Sequence, residues 1–353
     1  QAVTTGSGNA IFGNTAGPNI TTGSSNSFFG SNSGNITSVG TDNSFFGALS
    51  GFNNTVSNNS FFGASSGFAN TTGTFNAFFG AGSGSSNTLG SSNTFMGSNS
   101  GQLNVIGTNN SFFGQASGFN NTASNNSFFG IASGYANTTG TRNSFFGTRS
   151  GVANTTGSDN VFVGDSAGAA NTNGAINVFI GAEAGFTNAS GLGNVYIGAS
   201  AGRSFSSGNF NTYVGTSAGQ LATGQENSFF GLNSGRSTSG NNNAFFGSNT
   251  GFNNTAAQNS FFGHASGFLN TTGSSNTFIG ASSGGSNTTG SRNTFTGLES
   301  GFNNTGSSNT FTGYKAGYEN TAGDFNTAVG DSAGLMNISG SSNTFIGFKA
   351  RPN

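Results

Sequence analysis

Apolar residues come in adjacent pairs along this chain, each pair set in the same polar frame. Phe28-Phe29, Phe45-Phe46, Phe61-Phe62, Phe112-Phe113, Phe128-Phe129 and Phe145-Phe146 each follow Asn-Ser and precede Gly. Phe229-Phe230, Phe245-Phe246 and Phe261-Phe262 repeat the frame, with Ala for Ser in the second. The leading Asn recurs 21 times, from Asn9 to Asn343, at intervals of 16 or 17 residues. A fixed period this short marks a repeat architecture, in which one small unit cannot bury its apolar face alone and must stack.

The unit 59–75 shows which elements to expect. Three Gly and many Ser, Thr and Asn exclude a helix, which needs strong formers and apolar residues at three- and four-residue spacing. Ser-Phe-Phe closed by Gly reads as a short strand. The stretch Ser66–Thr71 reads as a second strand, and Thr71-Thr72-Gly73-Thr74 as a turn. Six of the twenty intervals are 16 residues, each shortened in that turn. A turn absorbs a deletion, whereas a strand would swap its faces. The expected fold is therefore all-β: a parallel β-solenoid, or β-roll, of about 21 coils with a 16–17-residue repeat, running through 1–353 as one continuous domain. Coils spaced about 4.8 Å apart would make a rod on the order of 100 Å long.

Stacking aligns like residues. Asn26, Asn43, Asn59, Asn76 and Asn93 would form an amide ladder, and the Asn eleven residues on (Asn54, Asn70, Asn87, Asn121, Asn137) a second one. Neighbouring residues on a strand point to opposite faces. One Phe of each pair then fills the coil and the other faces outward along the whole repeat. A column of exposed rings exceeds what soluble monomers carry, so the outer Phe is expected to pack on another chain. The alternative is that the following Gly bends the backbone and turns both rings inward. A patchier third column (Phe52, Phe68, Phe119, Tyr135, Phe186, Phe252, Phe268, Phe302, Tyr318) is interrupted by Arg203, Gln220 and Arg236, as a groove or lateral contact would be.

Composition narrows the function classes. The net charge is −1 with 5% charged residues, which leaves no basic footprint for nucleic acid. No run approaches the apolar length of a membrane span. Cys is absent, so disulfides and thiolate metal sites are excluded. Gly63-Ala64-Ser65-Ser66-Gly67 and Gly280-Ala281-Ser282-Ser283-Gly284 match a nucleophile-elbow spacing, but that motif needs a strand–turn–helix context and a His partner. The one His, His264, occupies a variable position and reads as a solvent-facing substitution. The nine acids are scattered singly. No catalytic, metal or cofactor residue is expected, and the chain reads as a non-enzyme. The many Asn-x-Ser/Thr sequons recur with the coil, so structural ladders explain them at least as well as glycosylation.

Asn276-Thr277-Phe278-Ile279-Gly280 with Ser283-Gly284, its variant at 177–185, and Asn326-Thr327-Ala328-Val329-Gly330-Asp331-Ser332-Ala333-Gly334 resemble the head repeat of YadA-type trimeric autotransporter adhesins. They are also similar to repeats of phage tail fibres and bacterial surface proteins. The resemblance covers essentially the whole chain. It implies a left-handed parallel β-roll, three chains around one axis, and adhesion or fibre structure at a cell surface or on a virion. The period here is longer than the family's, and Phe replaces its small strand-centre residue, which bears on how the chains would pack.

Two functions follow as expectations. The first is an extracellular fibre or surface filament, homo-oligomeric through its aromatic ladders. The second is an adhesive head or shaft that binds a host or surface ligand, with Arg203, Phe205, Phe210 and Tyr213 as the contact patch where the repeat is most irregular. A lesser reading is an ice-binding solenoid, since regular Thr on a flat face can order water, although most Thr fall in predicted turns. Residues 1–8 and 343–353 together amount to about one coil. This suggests end-to-end stacking of subunits, opposed by Lys349, Arg351 and Pro352, which blunt a strand edge.

Overall fold

The computed structural model describes residues 5–351. Gln1 to Thr4 and Pro352, part of the end-stacking expectation, lie outside the described residues. The contacts divide the chain into two compact units, Gln1–Asn177 and Val178–Asn353. The first holds ten three-residue strands, from β1 (Ala10–Phe12) to β10 (Val161–Val163). The second holds eleven, from β11 (Val178–Ile180) to β21 (Thr344–Ile346). No helix occurs among the described residues. Within each unit consecutive strands pair in parallel, one per coil, so the chain is an all-β parallel β-solenoid.

Register follows the repeat through short and long coils alike. Phe45 pairs with Phe61 across a 16-residue interval and Phe61 with Phe78 across 17. The deleted residue is thus taken from the turn, as the interval pattern predicts.

The expected second strand does not form. Ser66–Thr71 is a run of turns. Its backbone closes on itself through Ser66 N–H to Gly63 O at 3.2 Å and Asn70 N–H to Gly67 O at 3.1 Å. Left-handed residues before it and within it, Ser65 at φ 57° and Gly67 at φ 59°, break any extended path. Pairing between coils nevertheless continues there, with Gly67 N–H on Ser83 O and Ala69 N–H on Ser85 O, both at 2.9 Å. Buried backbone groups need partners, not regular strands. The turn chemistry of Ser, Asn and Gly supplies a tight coil that a second strand would lengthen.

The interior is narrow and repetitive. In residues 1–177 the inner rings from Phe28 to Phe162 are fully buried, with neighbouring centroids 4.7–4.9 Å apart. In residues 178–353 Phe179, Tyr196, Tyr213 and the rings from Phe229 to Phe311 continue the pattern at 4.7–5.0 Å. Burying each ring stabilises the stack by roughly 1.5–3 kcal/mol.

Two Gly per coil make this spacing possible. Gly63 has φ 135°, and a Cβ there would lie 2.5 Å from the Gly80 carbonyl carbon one coil on. Gly67 would place a Cβ 2.5 Å from the Phe61 ring.

Replacing Gly63 by Ala should therefore cost about 3 kcal/mol or more, because the clash is with backbone and the φ is strained. Thr72→Ala in the exposed turn should cost under about 0.5 kcal/mol. Urea unfolding of the two variants checks this, and equal midpoints would refute the packing argument.

Candidate interaction surface

Three buried polar columns hold the coil so that its strand presents one flat face. In the first, the Asn76 N–H donates to Asn59 Oδ1 at 2.9 Å and Asn76 Nδ2 donates to Gly90 O at 2.8 Å. Asn76 Oδ1 in turn accepts the Asn93 N–H at 3.0 Å. In the second, Asn87 Nδ2 donates to Asn70 Oδ1 at 2.8 Å and to Gly90 O at 2.9 Å. Both are the amide ladders expected from spacing, and an amide fits because it offers a donor and an acceptor in the stacking direction. The third column is new. In many coils a buried Ser before the second Gly donates to the carbonyl of the inner Phe one coil on, as Ser83 Oγ does to Phe95 O at 3.1 Å, while Ala stands there in others, such as Ala167 and Ala316. Its sequence signal is the recurrent Ser-Gly, which falls in the stretch expected to form a second strand.

With Phe28 buried, Phe29 faces outward, and the same alternation holds along the strands. The reading with both rings inward is not realised. Phe29, Phe146, Phe246 and Phe262 expose 36–39% of their surface. In residues 1–177 the outer rings stack at 4.6–4.8 Å within 8° of parallel, from Phe29–Phe46 to Phe129–Phe146. Each ring's faces are covered by its neighbours, so the surface seen from outside is a row of ring edges. Beside it runs a column of Ser, Ala, Thr or Val, the first residue of each strand. The outer column turns aliphatic at Val163, Ile180, Ile197 and Val214, and Thr296 and Thr312 stand in it later.

No strand residue carries a charge in any of the 21 strands, although the chain has 8 basic and 9 acidic residues. Those lie in the turns. Arg142 and Asp159 form a two-pronged pair at 2.6 and 2.8 Å one coil apart. This exposed pair holds the Asp159 carboxyl below and the Arg142 guanidinium above their ordinary values. Arg203 reaches Glu183 at 2.7 Å, and Lys315 reaches Glu299 at 3.4 Å.

The third aromatic column lies on another side of the coil, as two-ring pads. Phe52–Phe68 and Phe119–Tyr135 stack at 5.2 and 5.0 Å, and Phe252–Phe268 and Phe302–Tyr318 approach to 5.3 Å. The interrupting arginines pack on rings, Arg203 5.3 Å from the centre of Phe186 and Arg236 5.5 Å from that of Phe252.

The contact patch expected at Arg203, Phe205, Phe210 and Tyr213 does not hold together. Tyr213 is fully buried, because it stands two residues after Asn211 and so occupies the inner Phe column. Phe205 is 6% exposed, because it occupies the second amide ladder, eleven residues after Asn194. Only Phe210 is well exposed, while Arg203 is half-buried in its ion pair.

Other chemistry is sparse. His264 is exposed, and no cluster of three or more His, Cys, Asp or Glu occurs among the described residues. Several sequon asparagines, including Asn70 and Asn137, are fully buried in the second ladder, where a glycan could not be carried. The turn Thr hydroxyls donate to backbone one coil on, as Thr71 does to Thr88 O at 3.1 Å and Thr138 to Thr155 O at 3.0 Å, so they are committed to the stack. A depression near the last coil is lined by Ser332, Leu335, Met336, Lys349 and Arg351.

The Tyr196 and Tyr213 hydroxyls are buried and make no hydrogen bond of good geometry. Burial pushes both phenols up. The amides of Asn211 and Asn188 near Tyr196, and that of Asn227 near Tyr213, oppose the shift. No protein-family model matches this chain, and a search of curated proteins finds no significant match.

Because these phenols stay neutral in the fold, the stability they contribute is complete below about pH 10, where the unfolded chain is also neutral. It is lost as pH rises from there toward the folded values. Thermal unfolding between about pH 9 and about pH 11 should show a smaller loss for the Tyr196→Phe/Tyr213→Phe variant than for the parent. An equal loss in both would sink this assignment.

Proposed function

We propose that this is a structural protein that associates with copies of itself through the strand face, as an extracellular or surface fibre. The observation that carries the reading is the outer column, apolar in nearly every coil and free of charge in all of them. A Phe side chain carries about 200 Å². With about a third exposed, ten coils offer about 700 Å², close to the roughly 800 Å² per partner of a standard stable interface. A partner that covers this face must itself be uncharged and apolar over the same length, and a second copy meets that condition. Three copies around one axis, as the resemblance to adhesin head repeats implies, would enclose the column from all sides. Coil-to-coil hydrogen bonds and short turns suit a stiff element that resists proteolysis.

A second reading is an adhesive module, favoured by the pads Phe52–Phe68 and Phe119–Tyr135, which lie off the strand face and stay accessible when copies associate through it.

Phe46→Ser, Phe62→Ser and Phe79→Ser together test the first reading. The folded coil should lose about 1–2 kcal/mol per site, since about two-thirds of each ring is already covered by its own coil neighbours. Sedimentation equilibrium should show the parent as an oligomer and the variant at least about tenfold weaker in association. A monomeric parent at micromolar concentration, or an unchanged variant, would defeat it.

A further inference from the structure

Within residues 178–353 the second amide ladder is interrupted over one stretch. From Asn254 to Asn337 the second amide ladder is continuous. Asn270 donates to Asn254 at 2.6 Å, Asn287 to Asn270 at 2.7 Å, Asn304 to Asn287 at 3.2 Å and Asn320 to Asn304 at 2.6 Å. Between Asn188 and Asn254 its place is held by Phe205, Ala222 and Thr238, all buried and none with an amide. The serine column lacks its hydroxyl in the same region, as it also does at Ala184, Ala316 and Ala333. Ala201 and Ala218 stand where Ser283 and Ser300 donate to the inner Phe carbonyls at 3.3 and 3.1 Å. The inner column changes too, with the Tyr196 and Tyr213 hydroxyls buried without a well-formed bond.

Two polar columns thus lose hydrogen bonds in the same coils, and the inner column adds two buried hydroxyls without a well-formed bond, while the first amide ladder runs on through Asn211 and Asn227. The backbone pairing that remains there, such as Gly202 N–H on Ala218 O and Gly219 N–H on Ser234 O at 2.9 Å, is no stronger than elsewhere. Local opening follows local stability, and the weakest cooperative unit opens most often.

We propose that residues 194–242 are a built-in opening segment, coils that unpair first while those from Asn254 onward stay stacked. Opening frees the edges of the strands Val195–Ile197 and Thr212–Val214 and lets the solenoid yield at one place without losing its ladders elsewhere. The proposal does not depend on association between copies.

Trypsin reads this directly, because cleavage needs the chain to open. Arg203 and Arg236 lie inside the segment, whereas Arg142, Arg149, Arg292 and Lys315 lie in coils with intact ladders. Exposure alone would favour Arg142, whose side chain is 62% exposed against 37% for Arg203. The expected result is a first cut after Arg203 or Arg236, with amide exchange over 194–242 about tenfold faster than over 259–337. First cleavage at Arg142, Arg149 or Arg292, or exchange that is uniform along 178–353, overturns the proposal. A variant restoring the repeat, Phe205→Asn, Ala222→Asn, Tyr196→Phe and Tyr213→Phe, should slow the Arg203 cut about tenfold. A folded variant cut at the parental rate also overturns it, and if that variant does not fold the exchange of the parent decides.

Discussion

Within each unit the described residues meet their positional equivalents one coil away, at a spacing near 4.8 Å as the inner rings record. That constraint governs the rest. A residue type can recur at a position only if it packs well on itself. Phe does so by stacking faces. Asn does so by offering an acceptor to one neighbour and a donor to the next. A charge does not, since like charges facing across paired coils repel. Charged residues therefore stay at 5%, confined to turns, and where they approach between coils the signs are opposite, as in Arg142–Asp159 and Glu299–Lys315.

The same constraint divides labour within the coil. Gly at the strand end and at the second corner brings backbones close enough to pair around the whole circuit. The amides and the buried Ser then satisfy groups that turns would leave orphaned. Only the strand's first and third residues and a few turn positions are released from these duties. The face they form is where function can reside, and its long uncharged apolar column is the physical basis for reading the chain as a self-associating element.

Much of this was legible from spacing. The interval between like residues predicts the stacking, the alternation of inner and outer Phe follows from strand geometry, and the amide ladders follow from Asn in register. The second strand was misread because Ser66–Thr71 has unremarkable strand propensity, while its exclusion comes from the left-handed Ser65 and Gly67 beside it. The contact patch was misread for a different reason. Tyr213 and Phe205 look irregular by composition, yet counting from Asn211 and Asn194 places both in buried columns. Register outweighs residue type in a solenoid.

The sequence by itself determined the period, the fold class and which positions would form ladders, because a short exact repeat leaves stacking as the way to bury one apolar residue per coil. The tertiary structure alone decided how each coil closes, with one three-residue strand and a circuit of turns, because that depends on left-handed backbone and on hydrogen bonds that exist only once a neighbour is in place. It alone decided how open the outer column remains, because exposure depends on the neighbours above and below each ring. It also showed the second amide ladder and the serine column lapsing together near the buried hydroxyls of Tyr196 and Tyr213, since residues eleven and seven positions along the coil become neighbours only when the coil has closed.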